Sequence, residues 1–358
     1  MRIHIVILFL VLGCSSVFSQ QRSDVWLEGR LKGGFLLAHR SSMGHLAQQH
    51  AIASEFSYYY RPNSERLWCD AYGNPFFGFT LFAGTVGNAD ILGSYYGGYG
   101  FMSFPFVQKG FYSFGGKVGI GLGYGTKPYD AEDNIYNLAI GSHLNALICL
   151  GLESRFQFGH NMFSLNLDMT HFSNGATKVP NLGINIPYLS VGYSRRIKEA
   201  DKVPDDYVCN PYDPSFEFGV MGIISQKQIY PIGGRNYGVY SLNLIGRRYF
   251  NVKRGMEVSL DFISKQSTKD FHPEIRKTQI DLLQIGGFVG YIIPIDKLHL
   301  VVGMGGYIRD KYRPDGPFYH RLGVRYRLDN GLNFNLTLKS HWAKADYVEY
   351  GIGYTFKR

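Results

Sequence analysis

Residues 161–173 read Asn-Met-Phe-Ser-Leu-Asn-Leu-Asp-Met-Thr-His-Phe-Ser. Phe163, Leu165, Leu167 and Met169 alternate with Ser164, Asn166, Asp168 and Thr170. A period of two places these sets on opposite faces of a strand, one greasy and one wet. Strand-like segments recur near 27–39, 50–61, 75–86, 93–106, 111–124, 144–158, 162–174 and 186–196. A second set lies near 215–226, 236–248, 253–265, 278–293, 297–308, 318–329, 331–342 and 346–357. After the N-terminus no apolar run reaches the roughly 20 residues that a membrane helix requires. The 27 Tyr, 26 Phe and 44 Gly among 358 residues suit a transmembrane barrel instead. Aromatic residues girdle such a barrel at both interfaces, and Gly eases bending and close approach of strands. The fold class is therefore all-β, an antiparallel transmembrane β-barrel, and a helical membrane protein is excluded.

The first residues point to export. Met1-Arg2 is a short positive start, Ile3 to Leu12 is an apolar run, and Ser15 to Ser19 is small and mostly polar. That is the layout of a secretory signal peptide over residues 1–19, leaving a mature chain from Gln20. A second reading makes Cys14 of Val11-Leu12-Gly13-Cys14 a lipidated cysteine. Of the other cysteines, Cys149 lies in an apolar stretch and reads as a small buried hydrophobe. Cys69 and Cys209 lie in polar segments where export permits pairing. No cysteine or histidine spacing reads as a metal site, and His39, His45 and His50 form no ligand set. The net charge of +9 favours anionic lipid over nucleic acid, which an exported barrel would not meet.

The chain also carries an internal repeat. Arg155-Phe156-Gln157-Phe158 aligns with Arg325-Tyr326-Arg327-Leu328. Continued without a gap, Leu165-Asn166-Leu167 meets Asn335-Leu336-Thr337 and His171 meets His341. Val191-Gly192-Tyr193 then meets Ile352-Gly353-Tyr354 after a shorter loop. The organisation expected is a first barrel repeat over 20–196, a charged and Pro-rich connector over 197–214, and a second repeat over 215–358. About sixteen strands closing into one barrel is the favoured architecture, and two tandem eight-stranded barrels the alternative. An even strand count puts both chain ends on the periplasmic side. The tight turns at 159–161 and 329–331 share that side, and the loop from Asn174 to Ile184 is external.

The segment His171-Phe172-Ser173-Asn174-Gly175 carries the chemistry. Residues i and i+2 of a strand share a face, so His171 and Ser173 project together, on the side of Phe163 and Leu165. A polar pair facing lipid is costly unless it serves a function, and imidazole beside hydroxyl is an activated-nucleophile arrangement. With Pro180-Asn181-Leu182-Gly183, this run resembles the PagL-type lipid A 3-O-deacylases, outer-membrane barrels with a Ser-His-acid triad. The resemblance spans about residues 165–196 and implies Ser173 as nucleophile and His171 as general base. It also implies Asn174 and Asn181 near the oxyanion hole. Where that pattern has Glu, this chain has Asn185, which can accept from the imidazole without supplying a negative charge. The Asn makes the site similar to outer-membrane phospholipase A as well, in which calcium completes the oxyanion site.

The expectation is a serine esterase of the bacterial outer membrane that removes an acyl chain from lipid A through His171, Ser173 and Asn185, without a cofactor. A calcium-dependent phospholipase A is the alternative, and a silent pore or scaffold a third reading. Lipid A or phospholipid is the partner implied, and the sequence sets no oligomeric state. The second repeat, with Ala343 and Lys344 in the places of Ser173 and Asn174, reads as catalytically silent. His341, Asp346 and Glu349 read as rim residues, open to a lipid headgroup. Asp130, Glu132 and Asp133 read as a solvated loop with at most weak calcium affinity.

Overall fold

The computed structural model describes residues 23–62, 67–199, 216–270, 273–312, 314–342 and 344–356. The expected signal peptide, Cys14, Cys209 and most of the 197–214 connector lie outside the described residues.

The first eight strands are β1 (Ser23–Phe35), β2 (His50–Pro62), β3 (Phe76–Thr85), β4 (Ser94–Lys109), β5 (Tyr112–Gly125), β6 (Leu144–Phe158), β7 (Asn161–Ser173) and β8 (Ile184–Lys198). The second eight are β9 (Phe216–Gln228), β10 (Asn236–Asn251), β11 (Arg254–Lys265), β12 (Leu283–Ile295), β13 (Leu298–Arg309), β14 (Phe318–Arg327), β15 (Leu332–His341) and β16 (Lys344–Phe356). A short helix, α1 (Leu67–Ala71), sits between β2 and β3. No helix among the described residues is long and apolar enough to cross a membrane.

The strands close into two eight-stranded barrels, which bears out the tandem alternative and corrects the favoured single ring of sixteen. β8 returns to β1, from Val25 opposite Lys198 to Gly34 opposite Tyr188. β16 returns to β9, with Phe356 opposite Phe218. Alternation reports the two faces of a strand but not which edges meet, so both closures suit the same pattern. The side chains inside suit the smaller ring, because eight strands enclose a space that side chains just fill. In the first barrel Lys32 Nζ donates to Glu55 and Asp168 at 3.0 and 2.8 Å, and Arg30 pairs with Glu28 at 3.0 Å. Cys149 is buried against the same Asp168. In the second, Arg321 bridges Asp261 and Glu349 at 3.0 and 2.6 Å, and Glu257 takes Arg247 and Arg325. Charges withdrawn from water persist when paired and hydrogen-bonded. These paired, buried side chains line both lumens. Outside, Leu31, Ile52, Phe56, Leu81, Leu165, Leu167, Leu189 and Val191 stand exposed in the first barrel. Phe218, Ile224, Leu242, Val258 and Ile352 do so in the second. Apolar outer faces around a polar interior are the pattern of a barrel set in lipid.

The gapless repeat register is also corrected. Arg155 and Arg325 are equivalent, both buried and on the sixth strand of their barrels. Two residues, Gly159 and His160, then separate the paired Phe158 and Asn161. Three residues, Asp329, Asn330 and Gly331, separate Leu328 from Leu332, whose carbonyl accepts from Leu328 N at 2.8 Å. The extra turn residue moves the match by one, so Phe163, Leu165 and Leu167 correspond to Phe334, Leu336 and Leu338. His341 thus matches Thr170, pointing inward, and His171 matches Trp342. A slip of one residue exchanges the faces of a strand.

The barrels stand side by side with the same end up. At the end where β1 begins and β16 ends, Tyr72 Oη, just after α1, donates to Pro294 O at 3.0 Å. At the opposite end, where β7 runs into β8, Gln228 N donates to Ala176 O at 2.9 Å. Gln228 Oε1 accepts from Val179 N at 2.8 Å.

Candidate active site

β7 delivers the site. Its inward side chains Ser164, Asn166, Asp168, Thr170 and Phe172 are buried, and Phe163, Leu165 and Leu167 are about half exposed on the outside. His171 and Ser173 continue the outer row, half-buried at the strand's end. Between them Phe172 turns inward onto Tyr95 and Phe82, with ring centroids at 4.7 and 5.7 Å. That aromatic anchor fixes the phase of the last turn of the strand, and so the outward aim of its neighbours.

The antiparallel ladder sets Asn185 of β8 directly opposite His171. Their side chains meet, with His171 Nδ1 at 2.6 Å from Asn185 Oδ1. The amide oxygen only accepts, so the imidazole donates from Nδ1 and its Nε2 is the basic nitrogen. Gly183 lies over the other side of the ring. A Cβ there would stand 2.9 Å from His171 Cε1, and its φ of +83° is the left-handed conformation that Gly adopts without strain.

Ser173 takes other partners. Its Oγ lies 3.2 Å from Asn181 Oδ1 and 3.0 Å from Asn181 Nδ2, and accepts from Gly175 N at 3.2 Å. The hydroxyl thus rests on the Asn181 amide rather than on the imidazole. Asn174 contributes differently from its neighbours. Its side chain is buried and donates to Ser142 Oγ at 2.9 Å and to Lys178 O at 2.8 Å. Its main-chain N–H donates to Asn181 Oδ1 at 3.1 Å. The structure therefore brings His171 to Asn185 and Ser173 to Asn181. It directs the Asn174 side chain away from the nucleophile, into the scaffold of the loop.

Three contributors escaped the sequence reading. Ser142, in the loop between β5 and β6, receives Asn174. Gln228 of the second barrel holds the loop 174–183 from outside, and a Cβ on Gly175 would meet Val348 of β16. His39, in the loop after β1, lies with Nδ1 at 3.1 Å from Asn185 Nδ2. Ser142 arrives through the loop that leads into the neighbouring β6, Gln228 through barrel contact and His39 through barrel closure, and local patterning carries no signal for any of these.

The other candidate clusters serve the scaffold. Asp130 Oδ1 accepts from the main-chain N–H groups of Glu132 and Asp133 at 2.8 and 3.1 Å, so it builds a turn. Those two bonds hold its carboxyl below the usual carboxylate range. His341, Asp346 and Glu349 are buried inside the second barrel, which corrects their reading as rim residues. Asp346 with Asp315 and His341 forms a group compact enough to hold a metal ion. Lys265 Nζ lies 2.5 and 2.8 Å from its two carboxylates and Lys227 pairs with Asp346, so ammonium groups already supply the positive charge.

Comparison with known proteins places the chain in a family. No curated protein sequence matches the chain. A mutant porin of Rh. blastica overlaps 93% of this chain and 100% of its own, at 11% identity and a TM-score of 0.18. OccAB1 of Acinetobacter baumannii overlaps 93% and 96%, at 9% identity and a TM-score of 0.24. Overlaps this loose carry no argument about the chain. The family models are specific: residues 53–194 match lipid A 3-O-deacylase (PagL), and residues 214–358 match the acyloxyacyl hydrolase C-terminal domain. With most of both barrels covered, the chain belongs to the PagL family of lipid A deacylases.

Proposed function

We propose that this chain is a serine esterase that removes an ester-linked acyl chain from lipid A at the outer wall of its first barrel. The observation that carries the reading is the 2.6 Å bond between His171 and Asn185, set on the same outward row as Ser173. A nucleophile that acts on a membrane lipid has reason to stand on that wall, and a polar trio there is otherwise a cost.

In this reading Ser173 Oγ turns from Asn181 to His171 Nε2 as substrate binds. Catalytic hydrogen bonds often tighten only in the complex. His171 takes the hydroxyl proton while Oγ attacks the ester carbonyl, and Asn185 Oδ1 holds the Nδ1–H of the resulting imidazolium. The same movement frees Asn181 Nδ2 and Gly175 N–H to meet the developing oxyanion. His171 returns the proton to the departing sugar oxygen, which leaves an acyl-Ser173 that water hydrolyses by the reverse relay. Exposed Lys178 in the same loop, with the net charge of +9, suits the phosphates of lipid A. The same reading puts the chain in the bacterial outer membrane, exported by a signal peptide, and assigns it no cofactor.

A phospholipase A acting with calcium is the second reading, favoured by the amide of Asn185. Mass spectrometry of outer-membrane lipids, with wild type and Ser173→Ala expressed in turn, separates the two. Lipid A short of one acyl chain only in wild type supports the deacylase. Calcium-dependent lysophospholipid supports the phospholipase. Identical lipids in both strains refute any esterase built on Ser173.

A further inference from the structure

We propose that His39 is a positioning residue for this esterase: it fixes which end of the Asn185 amide faces His171. The inference rests on the triad reading above. A carboxylate in the third position offers an acceptor whichever way it turns. An amide has one accepting end and one donating end. Reversed, Asn185 would aim N–H groups at His171 Nδ1. The imidazole proton would then sit on Nε2, where it would prevent His171 from taking the Ser173 proton. Loss of the correct tautomer is the costly part of an acid-to-amide change in a catalytic triad.

His39 decides the orientation through its own proton. Its Nε2 lies 3.1 Å from Leu182 O, which only accepts, so Nε2 carries the hydrogen and Nδ1 is bare. Bare Nδ1 accepts from Asn185 Nδ2 at 3.1 Å. The longer 3.4 Å approach of Nδ1 to Leu37 O would need a proton on Nδ1, and it loses to two better-matched contacts. Asn185 Oδ1 is thereby committed to His171 Nδ1. One direction of donation runs along the chain, from His171 to Asn185 to His39 to the Leu182 carbonyl. Barrel closure holds the last members in place, with Leu37 N donating to Asn185 O at 2.9 Å. The half of the chain that begins at His39 exists to serve an amide, and a Glu or Asp at position 185 would not require it.

That asymmetry supplies the test. Full-length protein in mixed micelles with lipid A is assayed as wild type, His39→Ala, Asn185→Asp and the double variant, with Ser173→Ala as control. Heat-modified gel mobility checks that each barrel is folded. His39→Ala is expected to lower kcat on the order of tenfold with KM nearly unchanged, a coupling usual for groups in one hydrogen-bond network. In the Asn185→Asp background, where both oxygens accept, the same change should alter kcat less than about twofold. Equal losses in the two backgrounds would make His39 a structural residue of the loop and overturn the proposal. So would no loss in either. If Ser173→Ala cleaves lipid A as well as wild type, the triad reading falls and this inference falls with it.

Discussion

The two barrels share eight strands, a closed ladder and an ion-paired interior, yet they differ where the seventh strand meets the eighth. In the first barrel β7 ends on outward His171 and Ser173, and the loop 174–183 follows, bearing Asn181. In the second, β15 ends on inward His341, and only residues 342 and 343 separate it from β16. Trp342, the counterpart of His171, takes a φ of +54° in that tight link. A scaffold of this kind becomes a candidate enzyme through two local features. One is an outward row of the strand that ends on His171 and Ser173 where the second barrel has Trp342, and the other is a loop long enough to fold back over the nucleophile.

The strongest way to break the comparison is to shift the phase of β7 itself. One residue inserted within the strand, between Leu165 and Asn166, would exchange the faces of everything after it, turning Asn166 and Asp168 toward lipid and His171 and Ser173 toward the lumen. Each polar side chain so placed costs on the order of 1–3 kcal/mol. Loss of the compact, heat-modifiable band is expected, and an insertion variant that folds normally and keeps its activity would show that the phase of β7 does not set the site. Next comes chemistry with the fold intact. Ser173→Ala and His171→Ala should each reduce lipid A deacylation by about 10⁴-fold or more, and Asn185→Ala by roughly 10²- to 10⁴-fold. Reconstructing the polar pair in the second barrel, through Trp342→His with Lys344→Ser in a Ser173→Ala chain, should restore no activity. Nothing there matches the loop that bears Asn181. A gain of turnover would contradict the role given to that loop.

Smaller effects sharpen the comparison by showing what the silent half contributes. Gln228→Ala removes a side-chain bond to the loop, worth about 1 kcal/mol, so a loss of about fivefold in kcat is expected. Unchanged kinetics would mean that the second barrel does not brace the site. Lys178→Ala should raise KM for lipid A about twofold, an effect that fades with added salt because exposed charges are screened. The pH profile should fall toward acid as His171 Nε2 takes up the proton it needs to accept from Ser173. An acid limb that persists unchanged in a poorly active His171→Gln variant would assign the base elsewhere.

Much of this was legible in the chain itself. Period-two alternation located all sixteen strands, because a wall with lipid on one side and a packed lumen on the other imposes it. The same rule put His171 and Ser173 outward, and the resemblance to the deacylase pattern pointed to Asn185. Two things were hidden for physical reasons. Edge pairing is long-range, so the closure of β1 on β8, and with it His39, left no local trace. The extra residue in the Asp329-Asn330-Gly331 turn was masked by strand composition repetitive enough to align in the wrong phase. The histidine that seemed shared by both repeats lies outside one barrel and inside the other.

The two closures have a kinetic consequence as well. Each barrel completes its ring within its own half of the chain, the first once Lys198 reaches Val25. A single ring would have to wait for the final strand to return to Ser23. Doubling the length of a closing loop adds only about 0.6 kcal/mol of entropy, so the gain in stability is small. The gain in contact order is larger, since rates fall steeply as pairings become more distant in sequence. A nascent first barrel need not keep an edge strand open while the second is still being delivered, and open edges are where such chains aggregate.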